Sequence, residues 1–340
     1  MSAASSQVKS RSLVERIADA VLYEGYILYP YRPSSVKNQQ RWNFGVVCPQ
    51  AYERVQHGTE NSTMRTECLI EADASTTVDV RVRFLHLMLR ESENICEPAL
   101  PKSWQEAVAR EVVVPRVKIA ELESAQSVKF DFPSSSTTEL LTDSTSEATT
   151  GLVVRTQQSI AGEIQLAVTN LVSSTPRNTE RQLLKLSVVV HNLTEFEAAS
   201  ARTRDDALMH SFVSTHTILE AQQGSFVSLL DPPEVSIAAA SECINTGTYP
   251  VLVGDEGARG CVLSSPIILY DYPQIAPESA GDLFDGTEID EILTLRIMSL
   301  TDEEKREMRN ADDLARKLLE RTESISPEQL MNLHGVMKKV

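Results

Sequence analysis

The chain has 340 residues, 41% of them hydrophobic, and a mean hydropathy of -0.19, enough for one large or two ordinary domains with a packed core. Its formal net charge of -16 and pI near 4.9 repel phosphate backbones and anionic lipid, which argues against nucleic acid as a partner. The polar start and the lack of any apolar run near the ~18 residues that span a bilayer predict a cytoplasmic chain with no transmembrane segment.

In chain order, Leu13, Val14, Ile17, Ala18, Val21 and Leu22 recur at helical spacing and predict an amphipathic helix over 11–22 that docks on a sheet. Residues 42–48, 65–72 and 77–88 are β-rich, the last alternating polar and apolar side chains at a period of two. Helix-forming residues predict a short helix over 104–110, and 128–132 reads as a further strand. The Ser/Thr-rich run 133–150 reads as a loop or linker between a β-rich region with its leading helix (1–132) and a second β-rich region (151–286). It is equally compatible with a long loop inside one composite domain.

Residues 159–169 and 183–193 look like paired strands of a β-sandwich. Residues 211–230 alternate on both sides of Gln222-Gln223-Gly224 and predict a hairpin. Asp231-Pro232-Pro233-Glu234 has the features of a helix start, with the helix running through Ile244. Two strands, 249–253 and 261–270, flank the glycine-rich turn 254–260. Capping-box patterns at Thr287, Thr301 and Ser326 predict C-terminal helices over 287–340. The fold class that results is α+β: antiparallel, β-sandwich-like sheets with a few helices and a helical C-terminus.

The five cysteines, Cys48, Cys68, Cys96, Cys243 and Cys261, are far apart and form no C-x-x-C pair, so a disulfide framework and a structural zinc site are unexpected, and no cofactor is expected because no complete cofactor signature occurs. Buried free thiols are expected instead. The six histidines are scattered, and no nucleophile elbow, Walker loop or dinucleotide fingerprint occurs. An EF-hand is disfavoured because Gly281 and Leu283 stand where oxygen ligands would be needed. No catalytic residue is assigned. A hydrolase or metal-dependent site assembled from distant His and Asp/Glu residues stays open as the alternative.

Two segments stand out. Residues 23–31 hold four of the eight tyrosines and lead into a cationic stretch, so Tyr29, Tyr31, Arg32, Arg41 and Trp42 suit a recognition surface of rigid aromatics and guanidinium groups. The other reading is a β-edge whose tyrosines cover the core. The second segment, 265–291, sets Tyr270 and Tyr272 ahead of an acidic turn with Asp282 and Asp285. Those carboxylates either dock a basic partner or favour a helix N-terminus.

Tyr26-Ile-Leu-Tyr-Pro-Tyr-Arg-Pro-Ser-Ser35, Asn38-Gln-Gln-Arg-Trp42, Ser214-Thr-His-Thr-Ile-Leu219, Ser228-Leu-Leu-Asp-Pro-Pro233, Leu263 through Ser279 and Glu288 through Arg296 together resemble an uncharacterised bacterial protein family associated with accessory genes of [NiFe]-hydrogenases. The similarity spans nearly the whole chain apart from the Ser/Thr run. It implies a context, the assembly or maturation of a hydrogenase with a hydrogenase subunit or maturation factor as protein partner, and it carries no catalytic residue.

Overall fold

Alternation at a period of two builds the sheets, because successive strand side chains point to opposite faces. The computed structural model describes residues 14–19, 21–22, 42–93, 103–142, 149–171, 181–274, 297–311 and 313–324. Within them run β1 (Thr63–Ala72), β2 (Thr77–Glu93), β3 (Ser103–Lys118), β4 (Gln126–Phe132), β5 (Ser135–Thr142), β6 (Thr149–Gln157), β7 (Ile160–Asn170), β8 (Gln182–Asn192), β9 (Val213–Gln222), β10 (Ser225–Val227), β11 (Tyr249–Leu252) and β12 (Cys261–Ser265). They form a five-stranded sheet in the order β10-β1-β8-β7-β4 and a seven-stranded sheet in the order β11-β12-β9-β2-β6-β5, with β3 also paired to β2. Every named strand pair is antiparallel, as the α+β, sandwich-like expectation required.

The core lies between the sheets. Met64, Cys68, Ile70 and Ala72 of β1 and Leu184, Leu186, Val188 and Val190 of β8 meet Val78, Val80, Val82 and Phe84 of β2. Burying side chains of this size contributes roughly 1.5–3 kcal/mol each. Phe84, Phe130 and Phe212 cluster at one end, with Phe84 and Phe212 ring centroids 4.7 Å apart. Gly162 of β7 lets them close up: a Cβ there would collide with Phe130 Cζ and lie 2.7 Å from Phe212 Cζ.

Helices cover the outer face of the large sheet. The leading helix, described at 14–19 and 21–22, buries Val14, Ile17, Ala18 and Val21 against Ile218, Val251, Leu263 and Leu269. Nearby, Leu22, Trp42, Leu85, Leu87, Met308 and Leu319 make a second cluster that seats the helices Asp302–Ala311 and Asp313–Ser324. The expected capping box at Thr301 forms, with Glu304 N–H donating to Thr301 Oγ1 at 3.2 Å and Thr301 N–H donating to Glu304 Oε2 at 2.8 Å. The patterns at Thr287 and Ser326 lie outside the described residues. Among the described residues no helix is long and apolar enough to cross a membrane.

Several local expectations are corrected. Residues 104–110, expected as helix, belong to β3, which pairs with β2 from Thr77↔Lys118 to Glu91↔Ser103. The edge of β2 outweighs the helix propensity of Ala, Glu and Gln there. The Ser/Thr run supplies β5 and the first residues of β6, and strands from either side of it share both sheets. Residues 211–230 are no hairpin: β9 joins the large sheet and β10 pairs with β1 in the small one, so the turn at Gln223 crosses between layers. Gln223 takes a left-handed φ of 59° to do so. The helix expected over 231–244 shrinks to a 3-10 turn at Glu234–Ser236 and a helix at Ile237–Ser241, and neither has a side-chain cap. In 42–48 only an isolated bridge at Val47 forms, and a helix, Gln50–Val55, follows it. The expected pairs β7 with β8 and β11 with β12 form in register.

Candidate functional site

The edge strands β10 and β11 belong to different sheets, and residues 226–272 draw them onto one flank. Arg259 secures the first link, its Nε donating to Phe226 O at 2.7 Å and its Nη2 to Glu71 Oε2 at 3.2 Å. Asp271 secures the second. Its Oδ1 accepts Leu252 N–H at 2.7 Å and its Oδ2 accepts the Ser228 hydroxyl at 2.5 Å, so the strap that follows β12 is held both to β11 and to the loop after β10. Tyr272 continues the strap with a left-handed φ of 57° and donates its N–H to Leu252 O at 2.8 Å.

Large apolar side chains project from this fixed frame into solvent. Leu230 follows Ser228; Ile237 opens the short helix and Ile244 follows it; Ile268 and Tyr270 lie on the strap, and exposure runs from 54% for Ile237 to 84% for Tyr270. On the inner side Ala239 and Ala240 of this helix and Cys243 just after it pack on Leu69, Leu183 and Val227, so the segment is seated on the small sheet and its exposed residues are surplus to that packing. Glu67, almost fully buried, accepts the Ile244 N–H at 2.8 Å through Oε2 and fixes the segment that leads to β11.

Of the residues singled out in sequence, Tyr270 is exposed, but Tyr272 packs against the inter-sheet core and Trp42 is 3% exposed in the cluster beneath the C-terminal helices. Trp42 is thereby removed from any contact surface, because its ring completes the packing of Leu85 and Leu87. Its carbonyl accepts Arg204 Nη2 at 2.9 Å. Burial raises the Tyr272 phenol above its ordinary pKa, and the neighbouring Asp271 adds to the rise. Tyr29, Tyr31, Arg32, Arg41, Asp282 and Asp285 lie outside the described residues.

Two buried polar centres went unread in the sequence. At the first, His216 of β9 and Ser265 of β12 meet on the outer face of the large sheet, 49 residues apart in the chain and brought together by the pairing of Thr217 with Ser264. The Ser214 carbonyl accepts His216 Nδ1–H at 2.6 Å, which leaves Nε2 to accept the Ser265 hydroxyl at 3.2 Å. Ser214 sits in a bulge with a left-handed φ of 51° and donates its hydroxyl to Leu22 O at 2.7 Å, tying the leading helix over the pair. The pair has the hydrogen-bond order of a nucleophile and its base, yet His216 and Ser265 are at most 1% exposed. Pro266 follows Ser265 and has no N–H to offer an oxyanion. Burial lowers the His216 pKa to about 4, so the imidazole is neutral.

The second centre stands where the upper half of β2 exchanges β9 for β6 as its neighbour. His86 Nε2–H donates to Gln158 O at 2.9 Å, Gln157 Nε2 donates to His86 O at 3.2 Å, and Arg110 Nη2 donates to Gln157 Oε1 at 2.8 Å. These bonds clamp the crossover from β6 to β7. Burial, with Arg110 beside it, lowers the His86 pKa to about 4.

Cys48, Cys68 and Cys261 are free and buried and Cys243 is half-buried, in keeping with inert thiols. Burial pushes Cys48 up to about 12 and Cys243 up to about 11. Among the described residues no group of three or more His, Cys, Asp or Glu is placed to hold a metal ion. No protein-family model matches the chain, and no curated protein matches its sequence.

Proposed function

We propose that the chain is a non-catalytic binding protein, an assembly factor or scaffold, and that its partner is a [NiFe]-hydrogenase subunit or maturation factor. The observation that carries the binding role is the contrast between neighbours on the strap: Asp271 is held at both oxygens while Tyr270 stands 84% exposed beside it. A rigid aromatic presented to solvent offers a partner contact area at little entropic cost. The hydrogenase context comes from the resemblance of the strap and of residues 214–219 and 228–233 to the accessory family.

The test is affinity capture with the full chain from cells that make a [NiFe]-hydrogenase, repeated with Tyr270→Ala and Ile268→Ala together. Hydrogenase subunits or maturation factors retrieved by the unaltered chain and lost from the double variant are the expected result. A reproducible partner from another process would end the hydrogenase assignment and keep the binding role.

The His216–Ser265 pair favours a second reading, a hydrolase. In that reading the Ser265 oxygen attacks an acyl carbonyl while His216 Nε2 takes its proton and returns it to the leaving group, and water then cleaves the acyl-serine. A fluorophosphonate probe decides between them: labelling that Ser265→Ala abolishes would install the enzyme, and the sealed geometry leads us to expect none.

A further inference from the structure

Between Arg204 and Arg296 the sequence carries a single Lys or Arg, Arg259, and fifteen Asp or Glu. This acidic stretch includes the flank and its exposed apolar side chains. Asp231, Glu234 and Glu242 are exposed among Leu230, Ile237 and Ile244. Among the described residues, the cations that reach the region are already engaged: Arg259 with Phe226 O and Glu71, and both Arg65 and Lys185 with Glu67 at 3.4 Å. What remains for an incoming surface, among the described residues, is apolar area rimmed by exposed carboxylates.

That combination selects among occupants. A second copy of the chain would bring like charges face to face, which costs several kcal/mol at an interface. An anionic polymer or lipid surface meets the same repulsion. An apolar segment without charge would bury its side chains but leave the carboxylates partly desolvated and unpaired, which is unfavourable. A segment with apolar side chains on one face and Lys or Arg at its margins satisfies both features.

We infer that the flank receives a cationic amphipathic segment of a protein partner, whose apolar side chains seat on Leu230, Ile237, Ile244 and Tyr270 and whose Lys or Arg side chains meet Asp231, Glu234 and Glu242. This rests on the binding reading above and names the chemistry of the partner. The charged rim steers the encounter, and the apolar centre supplies most of the affinity.

The experiment uses the full chain and a fluorescently labelled synthetic Leu/Lys amphipathic peptide, with a Leu/Glu peptide of the same pattern as control. The Leu/Lys peptide binds and the Leu/Glu peptide does not, and rising salt weakens the complex. Asp231→Lys with Glu234→Lys weakens binding about tenfold, and Ile237→Ser with Tyr270→Ala does so to a similar degree. Reversing Glu195 and Glu197, exposed on the loop beyond β8, leaves binding unchanged. All four altered flank positions are exposed, and an unchanged circular dichroism spectrum verifies that the variants fold. Equal loss on reversing Glu195 and Glu197 would show attraction to net charge alone and overturn the inference. So would no binding of the Leu/Lys peptide, or equal binding of the Leu/Glu peptide. A partner captured from cells and still held by both pairs of flank variants overturns the inference while the binding reading stands; if no partner is captured at all, both fall.

Discussion

Asp271 Oδ1 lies 2.7 Å from the backbone nitrogen of Leu252, so one carboxylate on the strap completes the outer edge of β11. Its second oxygen takes the Ser228 hydroxyl, and the two bonds together hold the exposed flank in shape. Asp271→Ala strands both donors and should cost about 2–3 kcal/mol. The adjacent Tyr270→Ala should stay within about 0.5 kcal/mol, as expected of an exposed side chain with no packing role. Urea denaturation of the two variants checks the contrast, and equal losses would refute the division between anchor and contact.

The leading helix is held by burial more than by charge. Asp19 meets Arg83 at 2.5 Å and Glu15 meets Arg81 at 3.5 Å, but the two carboxylate side chains are 60% and 47% exposed, so each pair contributes about 0–1 kcal/mol. Ile17 is fully buried against the outer face of the large sheet, and its truncation to Ala should cost about 2–5 kcal/mol. Asp19→Asn should therefore be nearly silent and Ile17→Ala severe. A reversed order in thermal melts would mean that the ion pairs seat the helix.

Stability should fall on mild acidification. His86 and His216 are held neutral when folded, with pKa values lowered to about 4, against 6.5 for the unfolded chain. The unfolded state therefore binds more protons between those limits, and stability drops as pH falls from 6.5 towards 4, with nothing lost above 7. Each histidine accounts for on the order of 3 kcal/mol across that range. Between pH 7 and 5.5, above most carboxylate titration, His216→Gln should show a shallower decline than the unaltered chain, although it starts from lower stability. Parallel slopes would show that His216 is not the group responsible.

Gly162 is required by closeness alone, since its φ is ordinary and the obstacle is the pair of rings facing it. Gly162→Ala forces Phe130 and Phe212 apart at the centre of their cluster and should cost about 1–3 kcal/mol. Phe130→Leu alongside it should recover part of the loss. A stable, unshifted Gly162→Ala protein would contradict the packing described here.

Much of the sheet content was legible from β-rich composition and, in β2, from alternation. In β1, β2, β7 and β8 the inward-facing residues recur at even spacing because one face of each strand meets the inter-sheet core. The β11–β12 hairpin was legible too, because its turn is local and rich in glycine. Residues 104–110 misled because Ala, Glu, Gln and Arg read as helix formers, while the free edge of β2, about twenty residues earlier, offered them backbone partners. The Ser/Thr run misled in the same way: its composition suits a loop, but β6 pairs with it along the length of β5.

The candidate site divides along the same line. Tyr270 was visible as an unusual aromatic beside prolines, because composition alone marks it. That Trp42 and Tyr272 face the core while Leu230, Ile237 and Ile244 face solvent depends on which element covers which, and no local pattern encodes it. The sequence by itself determined the antiparallel β class and the acidic character, since both follow from residue type and spacing along the chain. Only the tertiary structure decided that β9 and β10 part into different sheets, that His216 meets Ser265, and that Asp271 binds two edges into one flank. Those contacts join residues tens of positions apart, and which of them form is settled by the burial and pairing of the whole assembly.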